Sequence, residues 1–214
     1  MEKQTPIAIV PISPEMHRET CQLIASSFRD KFQALLPVDE LRLAEALAAC
    51  VPDKNGAEMR MVALMDGNIV GSIGLTRAGG MANAGTRWRL ALDGLRREHG
   101  VWRACKFAVG MALLHYKPQF HECYIDHIAV RASHRNLGIG SNLLVWAKRY
   151  VRDCPDLGRL TLHVAGSNKG AVLLYERHGF ATIREMSSMW SGMLLKESHW
   201  RYMAWDAHES EVWE

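Results

Sequence analysis

The segment Arg135-Asn136-Leu137-Gly138-Ile139-Gly140 sets two glycines one residue apart between an apolar run and an amphipathic one. The run Tyr124 to Val130 reads as a buried strand, and Leu143, Ala147, Tyr150 and Val151 recur at helical spacing after the glycines. The glycines therefore fall at a helix start, where they let the backbone approach a ligand with no side chain between. The unpaired amides of a first helical turn, with the positive end of the helix dipole, favour a phosphate at that place. The chemistry to expect is the holding of a phosphorylated cofactor.

Three kinds of phosphate loop share glycines of this sort, and their neighbours separate them. A P-loop needs Lys and then Ser or Thr directly after its last glycine, whereas Gly140 is followed by Ser141 and Asn142. A dinucleotide fingerprint needs a third glycine where Leu143 stands, and an acidic residue at the end of a following strand. What remains resembles motif A of the GCN5-related N-acetyltransferases (GNAT): Arg or Gln, two residues, Gly, one residue, then Gly or Ala, satisfied by Arg135, Gly138 and Gly140. The alternative for so short a pattern is a glycine-rich turn entering an ordinary helix. The flanks weigh against it. Ile128-Ala129-Val130 stands ahead of Arg135 at the family's strand-and-loop spacing, and Asn168, Ala171, Tyr175, Gly179 and Phe180 match a second family pattern downstream. The resemblance is strongest over Glu122 to Phe180 and weakest between Gly79 and Phe120.

The elements that must position these residues alternate in a way that suits a mixed α/β sheet. Ile7 to Val10 is a short strand closed by Pro11 and Pro14. Ile24, Phe28, Phe32 and Leu35 line one helix, stopped by Pro37, and Leu41, Ala44, Leu47 and Val51 line a second before Pro52. Arg60 to Met65 and Ile69 to Thr76 are strands joined by the hairpin-like turn Asp66-Gly67-Asn68. After an insertion come a strand over Glu122 to Arg131, a helix over Gly138 to Arg152, a strand over Leu160 to Val164 and a helix over Lys169 to His178. Phe180 to Glu185 and His199 to Trp205 are closing strands. This order resembles the GNAT fold from end to end: an α/β (α+β) domain over 1–214 whose mixed central sheet has splayed strands and flanking helices, with a helical insertion at about 79–120.

Composition agrees with one globular domain. The chain has 214 residues, 48% of them hydrophobic, and no apolar run of membrane-spanning length. Met1-Glu2-Lys3-Gln4-Thr5-Pro6 lacks the basic end and apolar stretch of a signal peptide, so a cytoplasmic location and no membrane partner are expected. The five cysteines, Cys21, Cys50, Cys105, Cys123 and Cys154, are scattered and form no Cys-x-x-Cys pair, which reads as reduced thiols and no metal site. A net charge of +3 is too small to imply a polyanionic partner.

The resemblance assigns roles to residues. It implies acetyl-coenzyme A as donor and an amine as acceptor, with direct attack in a ternary complex and no metal. The pantetheine arm would lie where the strand over Glu122–Arg131 splays from Leu160–Val164, against the backbone of Ile128, Ala129 and Val130. Amides of Leu137, Gly138, Ile139, Gly140 and Ser141, with Asn136 beside them, would hold the pyrophosphate. Arg135 would contact a phosphate or remain a solvated loop residue, and Asn168 with Ala171 would anchor the cofactor or cap the next helix. Tyr175 stands where the family's tyrosine donates a proton to the departing sulfur; otherwise it packs on the cofactor.

Strand alternation puts Glu122, Tyr124 and Asp126 on one face, and Cys123, Ile125 and His127 on the other. Family bases come from the first face, at positions held here by Asp126 and Tyr124. A carboxylate in a largely apolar strand should have a raised pKa, which makes Asp126 the expected base and Glu122 the reserve. His127 would point away from the chemistry unless a bulge shifts the register. Cys123 and Cys105 have no histidine at a spacing that argues activation, so a covalent route is not expected.

Gly79 to Phe120 exceeds a simple connection and should carry structure of its own. Trp88, Leu92 and Leu95, then Trp102, Phe107, Met111 and Leu114, suggest two helices broken at Glu98-His99-Gly100. Arg87, Arg89, Arg96, Arg97, Arg103 and Lys106 outnumber Asp93 and Glu98 there, which is read as a solvated face or contacts to the cofactor's own phosphates before an acidic or phosphorylated acceptor. Trp102 and Phe107 read as core or as the surface of a homodimer. Two other functions fit parts of the pattern: a non-catalytic acyl-coenzyme A sensor, which needs the cradle but neither Asp126 nor Tyr175, and a nucleic-acid module, which would need a more basic domain and a recognition motif. No nucleic-acid partner is expected.

Overall fold

The computed structural model describes residues 6–50, 58–78 and 84–207, without the side chains of 49, 50, 58 and 84–91. Expectations for residues 1–5, Val51 and Pro52, and for the side chains of Cys50, Arg87, Trp88 and Arg89, lie outside the described residues.

The chain runs β1 (Ala8–Pro11), α1 (His17–Ser27), α2 (Arg29–Leu35), α3 (Glu40–Cys50), β2 (Glu58–Met65), β3 (Asn68–Arg77), α4 (Ala84–His99), α5 (Val101–Leu114), β4 (Glu122–Val130), a 3-10 turn (Ala132–His134), α6 (Ile139–Asp153), β5 (Arg159–Ala165), α7 (Lys169–Arg177), β6 (Ala181–Ser187), α8 (Met189–Leu195) and β7 (His199–Asp206). Seven strands form one sheet in the order β1-β2-β3-β4-β5-β7-β6. The β4–β5 pair is parallel and its neighbours are antiparallel, so the mixed sheet with flanking helices is as expected from the sequence. Asp66 and Gly67 both have positive φ, 51° and 76°, the backbone that a two-residue hairpin turn requires between β2 and β3.

A separate core covers each face of the sheet. On one, Ile139, Leu143, Leu144, Ala147 and Val151 of α6 pack on Ile73, Leu75, Cys123, Ile125, Leu160 and Leu162. On the other, Cys21, Leu23 and Ile24 of α1, with Leu43 and Leu47 of α3, pack on Val62, Ile69 and Ala129. The insertion joins this second core through Leu95, Ala104 and Phe107.

Of three local features, the first and third differ from the sequence expectation and the second is as expected. The helix expected across Ile24 to Leu35 is two helices, with Phe28 (φ −114°, ψ 24°) ending α1 and opening α2. The bend keeps Ile24, Phe32 and Leu35 in one core. The insertion breaks at Gly100, whose φ of +83° a β-carbon would resist. Its apolar residues then divide: Phe107 is fully buried, whereas Trp102 is 82% exposed. The third is α8, which went unread because Met189, Trp190 and Met193 face outward and only Ser191 and Leu195 are buried. Among the described residues, no helix is long and apolar enough to cross a membrane.

Candidate active site

The parallel pairing of β4 with β5 covers Glu122↔Arg159 to Ile125↔Leu162 and stops there. Beyond it, His127 to Val130 remain paired only to β3, and His163 to Ala165 only to β7. The two strands part, leaving backbone N–H and C=O groups along Ile128, Ala129 and Val130 facing a cleft in which an extended amide-bearing chain can bond them.

The glycine turn stands at the open end of that cleft. Gly138 caps α6 with a left-handed φ of 77°, and Asn136 is also left-handed at 63°. The first helical bond is from the Asn142 amide to the Gly138 carbonyl, 3.0 Å, so the amides of Ile139, Gly140 and Ser141 have no helical partner. Among the described residues, no backbone carbonyl takes the amides of Asn136, Leu137 or Gly138 either. Gly140 fits between two elements: a β-carbon there would come 3.2 Å from Leu174 of α7 and 4.0 Å from Val130. The arrangement fits a pyrophosphate, with free donors at a helix N-terminus and no side chain in the way. Arg135 is exposed beside it. Asn168 caps α7, its Oδ1 accepting from the Ala171 amide at 3.2 Å.

Tyr175 of α7 is buried in the α6-side core, its ring 5.7 Å from Phe180. Burial pushes its phenol up to about 12, so it is protonated at neutral pH. Its charge would raise that of Tyr124 on β4, which brings the two phenols into one electrostatic neighbourhood.

Of the β4 residues expected to do acid–base chemistry, Asp126 sits on a bulge. Gly74 pairs with His127 and Leu75 with Ile125, leaving Asp126 as the extra residue. The consequence is visible in the cores: Cys123 and Ile125 face α6 before the bulge, but Ile128 and Val130 do so after it, while Ala129 turns to the α1 side. His127 therefore lies on the face that alternation denied it, its Nε2 3.2 Å from Ser72 Oγ. Burial, aided by the charge of Arg60, pushes this imidazole down to about 3. Asp126 is exposed and accepts a 2.6 Å hydrogen bond from the Thr76 hydroxyl. Glu122 is buried at 5% exposure and accepts from four donors: Thr161 Oγ1 (2.5 Å), Tyr202 Oη (2.7 Å), the Gln119 amide (2.7 Å) and Tyr116 Oη (3.2 Å). That many donors fix a carboxylate in place. Burial raises the Cys123 thiol to about 12, leaving almost no thiolate at neutral pH. Of the other cysteines, Cys21 is buried, Cys105 exposed and Cys154 between them, and all three are free.

His163 was missed in the sequence. It is the first residue of β5 beyond the last pair with β4, and its Nδ1 lies 3.1 Å from Tyr124 Oη. Burial depresses its pKa against the opposing pull of Glu122, so the ring is neutral at pH 7. Burial also drives the Tyr124 phenol far above its usual range, with the His163 backbone amide pulling the other way. A protonated Tyr124 thus donates to a neutral imidazole across the mouth of the splay. Two tyrosines were missed with it: the rings of Tyr116 and Tyr202 lie 5.1 and 5.0 Å from that of His163. The signal in the sequence was period two in β5, which puts Thr161 and His163 on one face; which other strands share that face is not written locally.

A parallel strand pair that splays beside a helix N-terminus carrying free amides is the arrangement expected from the resemblance of the sequence to the GNAT fold. Residues 87–180 match the model described as the acetyltransferase (GNAT) family. Two solved structures share the fold over 94% of this chain. NAA60 of Arabidopsis thaliana in complex with a bisubstrate analogue is 18% identical, with a TM-score of 0.57 over 98% of its chain. The spermidine N-acetyltransferase of Vibrio cholerae in complex with CoA and spermine is 16% identical, with a TM-score of 0.59 over 95% of its chain. No curated protein matches the sequence.

Proposed function

We propose that this protein transfers an acetyl group from acetyl-coenzyme A to an amine, by direct attack with both substrates bound. The observation that carries the reading is the parting of β4 from β5 next to the free amides of α6. Acetyl-coenzyme A supplies an activated acetyl group and a thiol leaving group. Amides from Leu137 to Ser141 hold the pyrophosphate, with Asn136 and Arg135 at its rim, and the backbone of Ile128, Ala129 and Val130 binds the pantetheine. Asn168 and Ala171 fix the start of α7, and with it Tyr175.

Tyr175 gives its phenolic proton toward the departing sulfur. On the acceptor side, Asp126 and the Tyr124–His163 pair flank the place where the strands part, and either can take the amine's proton. In the second route the phenol oxygen receives the proton while passing its own to His163 Nδ1, so the charge ends on the imidazole. Glu122, held by its four donors, acts as a positioning residue for this wall of the cleft.

The test is thiol release from acetyl-coenzyme A against a panel of polyamines, peptide N-termini, lysine peptides and aminoglycosides, alongside direct titration of acetyl-coenzyme A binding. Release that depends on one acceptor class supports the reading. Tight cofactor binding with no release for any acceptor would replace it with the non-catalytic acyl-coenzyme A sensor.

A further inference from the structure

The insertion does more than cover the α1-side core. Its return segment, from the end of α5 at Leu114 to the start of β4 at Glu122, carries Tyr116 onto the acceptor wall described above. The Tyr116 ring lies 4.6 Å from Tyr124, 5.1 Å from His163 and 5.8 Å from Tyr202. Its hydroxyl reaches Glu122 Oε2 at 3.2 Å and Tyr202 Oη at 3.4 Å. The segment behind it is pinned as well. The Gln119 amide bonds the same Glu122 oxygen at 2.7 Å, and His121 Nδ1 lies 2.7 Å from the Asp156 carbonyl oxygen. The His121 carbonyl oxygen accepts from the amides of Gly158 and Arg159 at the start of β5.

Tyr116 is therefore a half-buried ring held on both sides, by contact with three aromatic rings and by its tethered hydroxyl. A wall so fixed cannot swing aside to admit a bulkier ligand without breaking its bonds to Glu122 and Tyr202. It stands against both members of the Tyr124–His163 pair, on the sheet face turned away from α6 and so from the glycine turn. With the Tyr124–His163 pair taking the amine's proton, as in the acetyl-transfer reading, the space it limits is that next to the acceptor's reacting nitrogen.

We propose that Tyr116 is the residue by which the insertion selects the acceptor, admitting primary amines on an unbranched carbon and excluding those branched next to the nitrogen. This rests on the acetyl-transfer reading above. One methyl group rejected or admitted by a fixed pocket changes kcat/KM by roughly 10- to 200-fold. The experiment pairs each primary amine that turns over with its α-methyl homologue and measures the ratio of their kcat/KM values in wild type, Tyr116→Ala and Tyr116→Trp. Tyr116→Ala should raise the homologue-to-parent ratio by about tenfold or more, and Tyr116→Trp should lower it. Circular dichroism melts identify a variant that fails to fold, in which case the other carries the test in its own direction. A ratio within twofold of wild type in the folded variants would overturn the proposal while leaving acetyl transfer intact. A wild type that binds acetyl-coenzyme A yet acetylates no amine would overturn both.

Discussion

Replacing Tyr175 by Phe removes one oxygen from a ring whose place is fixed by the core around it. The ring stays against Phe180, and among the described residues no hydrogen bond is lost, so the fold should change by less than about 1 kcal/mol. If the phenol protonates the departing sulfur, its loss should lower kcat by about 10²- to 10⁴-fold, which is roughly 3–5 kcal/mol of barrier. Affinity for acetyl-coenzyme A should stay within about threefold, since main-chain donors hold the cofactor in this reading. The pKa adds an independent check. A phenol held at about 12 remains protonated up to pH 10, so the wild-type kcat profile should show no falling limb from this group between pH 8 and 10. The assay is continuous thiol release under saturating acceptor, repeated with added viscogen so that product release is excluded as the slow step. A Tyr175→Phe enzyme within threefold of wild-type kcat, with rates insensitive to viscosity, would refute the assignment.

The proton acceptor is separable by the acidic limb of kcat. The depressed pKa of His163 puts its limb below pH 6.5, and that limb should vanish in His163→Gln but survive in Asp126→Asn if the Tyr124–His163 route operates; the opposite pattern would assign the proton to Asp126. Stability should fall with acid through His127. Its folded pKa of about 3 lies below the unfolded value near 6.5, so the unfolded chain binds the extra proton between those values, and stability drops as pH falls through that window by up to about 4 kcal/mol. Urea midpoints at pH 7 and pH 4 for wild type and His127→Gln measure it, and equal slopes in the two proteins would count against a buried neutral imidazole. Two helix glycines should respond oppositely to alanine. At Gly110 the new carbon would lie 2.1 Å from a fully buried Leu35, costing about 1–3 kcal/mol, whereas Gly94 has nothing within 4 Å and should gain about 0.5–1 kcal/mol of helix propensity. Thermal melts of the pair decide whether α5 packs on α2 as described.

Elements whose burial repeats with a single period were legible in the chain. In α6, Leu143, Ala147 and Val151 recur on one side and are all fully buried, and the turn ahead of it ends in Gly138, whose left-handed φ caps the helix. The hairpin between β2 and β3 was readable for the same reason, because Asp66-Gly67 is local chemistry for a local backbone. Where two periods or two surfaces compete, the reading fails. Helix α8 turns Met189, Trp190 and Met193 outward, so its apolar residues no longer mark its buried side. The expected helix through Phe28 has an apolar spacing that fits a straight helix and a bent pair equally well, and only packing against the rest of the α1-side core chooses between them.

The turn proposed to hold the donor was legible because it is made by consecutive residues: Arg135 to Ser141 need only their own backbone to leave amides free at the start of α6. The acceptor side is made by pairing. Period-two alternation gave Glu122, Tyr124 and Asp126 a common face, but it carries no information about a single extra residue, and the bulge at Asp126 shifts everything after it by one. No glycine or proline marks that bulge on β4. The partner strand offers Gly74, where a β-carbon would come 2.6 Å from the His127 ring, so the glycine that makes room for the shifted histidine stands 53 positions away in the chain. His163 and Tyr116 follow the same logic. The imidazole meets Tyr124 only because β5 pairs with β4 in one register, and the phenol reaches both only because the insertion ends where it does. The part proposed to bind the donor can therefore be read from one segment, while the part proposed to choose and deprotonate the acceptor is a property of the sheet.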